Sequence, residues 1–150
     1  MLKKSVDNLS IIGFIVLMFM LLVSALALYL HKYGFSLQTL YMHYAGDSQN
    51  YINPKSFSGI LKSFSPHILV MPLSFFILFH IGLASKSFKQ EHIKYIAMIG
   101  FGSSVADVLI NFFIALSPIV AGLKVITLIT FELSMLYVMI LIYKKIYRLK

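Results

Sequence analysis

The chain has 150 residues, of which 59% are hydrophobic and only 12% charged. A water-soluble domain runs near a quarter charged, so this chain has too little polar surface to cover itself in water. Its net charge is +8, but the lysines cluster at the ends of apolar segments and not along one polar face. That excludes a nucleic-acid partner and makes them topology signals and lipid-headgroup contacts. Without a cysteine there is no disulfide, thiolate metal site, iron–sulfur cluster or thiol nucleophile.

Met1 to Asn8 is a short basic start carrying Lys3 and Lys4. From Leu9 to His31 no charged residue occurs if histidine is counted neutral. At about 1.5 Å per residue this run crosses about 30 Å of hydrocarbon. Ala25 and Ala27 form a small-x-small pair like a signal-peptide cleavage site. The apolar run is too long for a cleaved signal, so it is expected to remain as the first span.

Residues 32 to 66 form a more polar loop with two apolar stripes. Leu37, Leu40, Tyr41 and Tyr44 fall at helical spacing, and Phe57, Ile60, Leu61 and Phe64 repeat it. Asn53-Pro54 is the expected start of the second helix, with Asn as cap and Pro in the first turn. Ala45-Gly46-Asp47 separates the two. Aromatic residues on such stripes suit a membrane–water interface, so both helices are expected to lie on the bilayer.

Residues 67 to 85 make the second span, with Pro72 inside it as an expected kink. Ser85 to Lys94 is a basic loop. Residues 93 to 118 make the third span, with Gly122 and Lys124 in the short turn after it. Residues 125 to 143 make the fourth, followed by a basic tail. The fold expected is a single integral membrane domain: an all-α bundle of four transmembrane helices, with a two-helix amphipathic periplasmic loop between the first and second.

Charge sets the orientation. Lys3, Lys4, Lys86, Lys89, Lys94, Lys144, Lys145, Arg148 and Lys150 lie on one side. Lys32, Lys55, Lys62 and Lys124 lie on the other. The excess of positive charge marks the cytoplasmic side, so both termini are expected there and the amphipathic loop outside.

The third span carries Gly100, Ser103, Ser104, Asp107, Asn111 and Pro118 on one face. Small and polar residues on one stripe mark a face packed against other helices or lining a polar cavity. A carboxylate at depth needs a cation, a proton or a donor. Asp107 is therefore expected to be protonated at neutral pH unless a cation or a lysine reaches it. Glu132 lies at similar depth and could share that proton or cation. Its position opposite Thr127, Thr130 and Ser134 also allows it to face a partner chain. Asp107, Asn111, Glu132, Ser103 and Ser104 are thus the candidate buried ion or proton site.

The histidines invite a haem or metal reading, since membrane bundles hold b-type haem between histidines on facing helices. His67 and His80, 13 residues apart, point about 140° away from each other on one helix. Partners must come from elsewhere: His31 and His43 on the outer side for His67, and His92 on the inner side for His80. His67, His31 and His80 are the candidate haem or metal ligands. There is no glycine-rich phosphate loop, no His-Glu-x-x-His and no supported Ser-His-Asp order, so a covalent or metal-hydrolytic enzyme is not expected.

Several short motifs carry a resemblance. They are Tyr33-Gly34-Phe35-Ser36, Tyr44-Ala45-Gly46-Asp47, Pro54-Lys55-Ser56-Phe57, His67-Ile68-Leu69-Val70-Met71-Pro72, His80 and Asp107. Over residues 33 to about 111 the chain resembles an uncharacterised family of small four-span bacterial inner-membrane proteins. That family has a His-x-His at the entry to its second span, where Ser65 replaces the first histidine here. The resemblance implies a fold and a location and carries no activity.

Three functional readings follow. The leading one is a non-enzymatic accessory or small subunit of a larger inner-membrane assembly, of respiratory or redox type. Its partners would be lipid and other membrane subunits or further copies of itself. The second is a haem- or metal-binding electron-transfer subunit. The third is a small oligomeric ion or proton-coupled carrier built on Asp107 and Glu132.

Overall fold

The computed structural model describes residues 2–148; the side chains of 2–8, Phe64, Pro66, His67 and Arg148 lie outside the described set. The first long apolar run forms α1 (Leu2–Tyr33). Gly34, at φ +61°, then turns the chain. Ser36 caps α2 (Leu37–Ala45), its Oγ accepting from Thr39 N at 3.3 Å. Gly46 ends α2 with φ +86° and donates its N–H to Met42 O at 2.8 Å. A side chain there would also strike the backbone of Pro54, 2.7 Å from where its Cβ would stand. Asp47 closes the following turn by accepting from Gln49 N and Asn50 Nδ2.

The second amphipathic stripe is helical but not separate. It forms the first turns of α3 (Phe57–Ala84), a 28-residue helix that continues through Pro72. Its cap is Ser56, whose Oγ accepts from Gly59 N at 3.2 Å, and not Asn53. Asn53 and Pro54 instead lie in the extended segment that leads to that cap.

A 3-10 turn, Gln90–His92, leads into α4 (Ile93–Ile110). α4 stops eight residues short of the expected end at 118. A second 3-10 turn, Ile114–Leu116, follows it. Ser117 is extended at φ −166° and ψ 157°, as a residue before proline tends to be. Pro118 then opens α5 (Pro118–Arg148) in the position that needs no N–H donor. Gly122 and Lys124 therefore lie inside α5 and not in a turn.

α4 and α5 pack along each other, and α3 lies against both. Phe75, Leu78, Met135, Val138 and Ile142 are fully buried in the main core. Gly100 lets α4 come in under the ring of Phe75. In lipid such close packing, more than hydrophobic burial, holds helices together. A smaller core of Leu40, Tyr44, Ile60, Ile114 and Ala121 closes one end. Leu40 and Tyr44, from the stripe of α2, are buried in that core. This face of α2 packs against the protein and covers the bundle end.

α1 packs on α5 and α2 and has the least buried span of the four. Among the described residues four helices are long and apolar enough to cross a membrane: Leu9–Tyr33, Phe57–Ala84, Gln90–Ile110 and Pro118–Tyr147. The described residues contain no β-strand. The protein is an all-α bundle of four transmembrane helices, with the short α2 between the first and second.

Candidate functional site: a charged cavity beneath α2

The break between α4 and α5 creates the site. Where α4 ends, the turn after it takes up the carbonyls of Val108, Leu109 and Ile110, and the carbonyl of Asp107 is left to side chains. Lys124 Nζ donates to the carbonyl oxygen of Asp107 at 2.9 Å and to its Oδ2 at 2.5 Å. The Thr127 hydroxyl shares its one proton between Lys124 O at 3.0 Å and Asp107 Oδ1 at 3.3 Å. Both atoms are thus held on a carboxyl group only 2% exposed. A cation at a helix C-terminus is also favoured by the helix dipole.

Asn111 extends the network. Its Nδ2 donates to Asp107 O at 2.8 Å and to Val108 O at 3.1 Å. Its Oδ1 accepts from Tyr44 OH at 3.2 Å. One chain of bonds therefore joins α2, α4 and α5.

Tyr44 is fixed from above as well. Lys55 Nζ stands 4.7 Å from its ring centre and donates to Ser63 Oγ at 3.2 Å. His43 packs edge-on between Tyr33 and Tyr44. Its Nε2 is buried with no hydrogen-bond partner among the described residues. Burial, then the charges of Lys55 and Lys32, push the His43 pKa down to about 4. Burial likewise raises the pKa of the Tyr44 hydroxyl and lowers that of the Lys55 ammonium.

Beneath this cap lies a cavity of about 660 Å³. Its floor and sides combine Asp107, Asn111, Lys124 and Glu132 with apolar walls. Leu22 and Ala25 of α1, Val70 and Met71 of α3, and Leu128 and Phe131 of α5 line it. His31 and Lys32 lie at its edge, near the cap.

Glu132 follows Lys124 by eight residues on α5, so it lies about 12 Å further along the helix. That places it halfway along the apolar stretch Pro118–Tyr147. It is half-buried and, among the described residues, accepts no hydrogen bond and forms no ion pair. It lines the cavity.

The structure thus brings Asp107, Asn111 and Glu132 to one cavity. Ser103 and Ser104 are buried elsewhere on α4 and donate to their own helix, to Gly100 O and Phe101 O. His31 and His80 are not brought together. His80 sits 23 residues into α3, about 35 Å from its capped end, while His31 lies at that end. His80 is exposed, with its ring against Phe76 and its Nδ1 2.8 Å from Phe76 O. The side chain of His67 lies outside the described residues. No cluster of three or more His, Asp or Glu side chains able to hold a metal occurs among the described residues.

Lys124 is the residue that sequence reasoning missed. Ser117-Pro118 was the available signal: a proline in the first helical position starts α5 early enough to turn Lys124 inward. Lys124, Leu128, Phe131 and Met135 then share one stripe on the cavity side.

These features define a polytopic helical membrane protein with a partly charged cavity at one end of its bundle. The chain belongs to the Aq_1264_TM family, a transmembrane helical domain whose model matches residues 34–150. The match takes in α2 to α5, and with them the whole Asp107–Lys124 network. No curated protein and no solved structure matches the chain.

Proposed function

We propose that the chain is a binding protein of the bacterial inner membrane whose cavity admits a small amphipathic molecule, and that both termini are cytoplasmic. The observation that carries this is the cavity itself. At about 660 Å³ it has the size of a small-molecule site. Apolar walls and a few convergent polar groups are what such a site needs. This favours small-molecule binding over a role limited to packing as a subunit of a larger assembly. With Lys124 buried in an ion pair, the charge asymmetry sharpens to nine cytoplasmic Lys or Arg against Lys32, Lys55 and Lys62. The α2 cap then faces the periplasm.

The test is gentle-detergent purification followed by mass analysis of co-purifying small amphiphiles. Ala25 lines the cavity, so Ala25→Trp should fill much of it while α1 still inserts. One or more amphiphiles present with the parent and depleted in the variant support the proposal. The same amphiphiles in the same amounts from both proteins would sink it.

A further inference from the structure

We propose that the amphiphile is a lipophilic amine, its ammonium group held by the carboxylate of Glu132 and its apolar chain by the walls above and below. This rests on the binding reading just given and adds the charge of the ligand. The cavity holds two acids at depth, and only one is balanced. Asp107 is neutralised by Lys124 at 2.5 Å and has both carboxyl oxygens engaged. Glu132 has neither oxygen engaged among the described residues, yet it lines the same space.

A carboxylate midway along a membrane span is costly unless a cation or a proton accompanies it. Lys124 cannot serve both acids: its ammonium is committed to Asp107, and Glu132 lies about 12 Å further along α5. His31 and Lys32, the other bases lining the cavity, lie at its edge and are exposed. The deep part of the cavity therefore carries one net negative charge when Glu132 is ionised. An anionic amphiphile would meet that charge with no free cation beside it. A neutral one brings no charge of its own and leaves Glu132 to its proton, so it gains nothing from the carboxylate.

A primary ammonium balances it and brings N–H donors to both oxygens. The walls at the same level take the alkyl chain: Leu22, Ala25, Val70, Met71, Leu128 and Phe131. In the empty protein a proton does the same electrostatic work. Binding is then an exchange: the Glu132 carboxyl loses its proton, that proton leaves through the polar edge, and the ammonium takes its place. One proton is released per amine bound. Charge is conserved, and no other reactant is needed.

The experiment uses the full chain in lipid nanodiscs and three probes of equal chain length, decylamine, decanol and decanoate. Empty nanodiscs provide the partition baseline. The expected result is saturable binding of decylamine about tenfold or more tighter than that of decanol or decanoate. At a pH low enough for Glu132 to start protonated, one proton should be released per decylamine, read with an indicator dye in weak buffer. Glu132→Gln should lose the preference and the proton release, while Glu91→Gln, an acid outside the cavity, should keep both.

Equal binding of all three probes would overturn the amine assignment while leaving an amphiphile site in place. Preference retained in Glu132→Gln would overturn the role of Glu132. No saturable binding of any probe, in the parent as in Ala25→Trp, would overturn the binding reading and this proposal together. Should Glu132→Gln fail to fold, the three-probe comparison and proton count on the parent still decide.

Discussion

Lys124 Nζ lies 2.5 Å from Asp107 Oδ2, and this contact joins the start of α5 to the end of α4 across the break between them. Both side chains are largely buried, 12% and 3% exposed. A lysine thus reaches Asp107. Its source is a helix that begins at Pro118.

Breaking this pair from one side should be costly. Removing one partner of a buried pair typically costs about 3–5 kcal/mol, because the other charge is left uncompensated. Asp107→Asn and Lys124→Met should each lower the thermal unfolding midpoint in detergent at pH 7 by several degrees. The double change Asp107→Leu with Lys124→Met should recover much of that loss. An Asp107→Asn protein as stable as the parent would show that the pair carries no stability.

A second expectation concerns Gly100. Its α-carbon faces the ring of Phe75, which is fully buried and hemmed in by Phe79, Phe101 and Phe131. A methyl group at position 100 overlaps that ring, which has little room to turn. Gly100→Ala should destabilise by about 1–3 kcal/mol. Gly102 has no atom within 4 Å of its would-be Cβ, so Gly102→Ala is the matched control and should be close to neutral. Equal melting of the two variants would count against tight α3–α4 packing.

The cap should loosen in acid. The His43 pKa is about 4 in the folded protein against about 6.5 in an open chain. Below pH 6.5 the open form binds a proton that the closed form does not, so stability falls as pH drops. The loss accrues between pH 6.5 and about 4, and stability is regained as pH rises through that window. Hydrogen exchange of the α2 amides should therefore quicken relative to the α5 core across this range. His43→Gln should flatten the difference. A parent whose α2 protection is constant from pH 7 to 4 would refute the assignment.

Orientation can be checked with a reporter active only in the periplasm. Fused after Lys150 it should be silent, and fused within the segment between Gly46 and Lys55 of a truncated chain it should be active. Strong activity from the Lys150 fusion would reverse the orientation.

Much of the fold is legible in the residues. Unbroken apolar runs delimit α1 and the membrane part of α3, and lysine placement predicts which loops share a side. Helical spacing of Leu37, Leu40, Tyr41 and Tyr44 marks α2. The facing of that stripe is less legible, because an amphipathic helix reads the same whether its apolar face meets lipid or protein. The α4–α5 boundary is the clearest miss. Residues 111 to 117 are as apolar as the spans around them, so hydropathy carries no break there. Only the backbone preference imposed by Pro118 reveals it. Within the site, Asp107, Asn111 and Glu132 stand out as polar residues in apolar helices. Lys124 does not, because near a helix end a lysine looks like an ordinary interfacial charge.

The sparse packing of α1 has a consequence for how anything enters the cavity. Leu22 and Ala25 of α1 form one of its walls, yet α1 has the least buried span of the four. Its 25-residue apolar stretch is about 37 Å long, more than the roughly 30 Å of hydrocarbon it must cross. A helix too long for its bilayer tilts, and the tilt grows as the bilayer thins. The opening between α1 and α3 then becomes a function of membrane thickness. Entry of a bilayer-dissolved ligand should change in rate between lipids of shorter and longer acyl chains, at constant headgroup, while the charged floor beneath α2 stays the same. In that sense the lipid acts as part of the door.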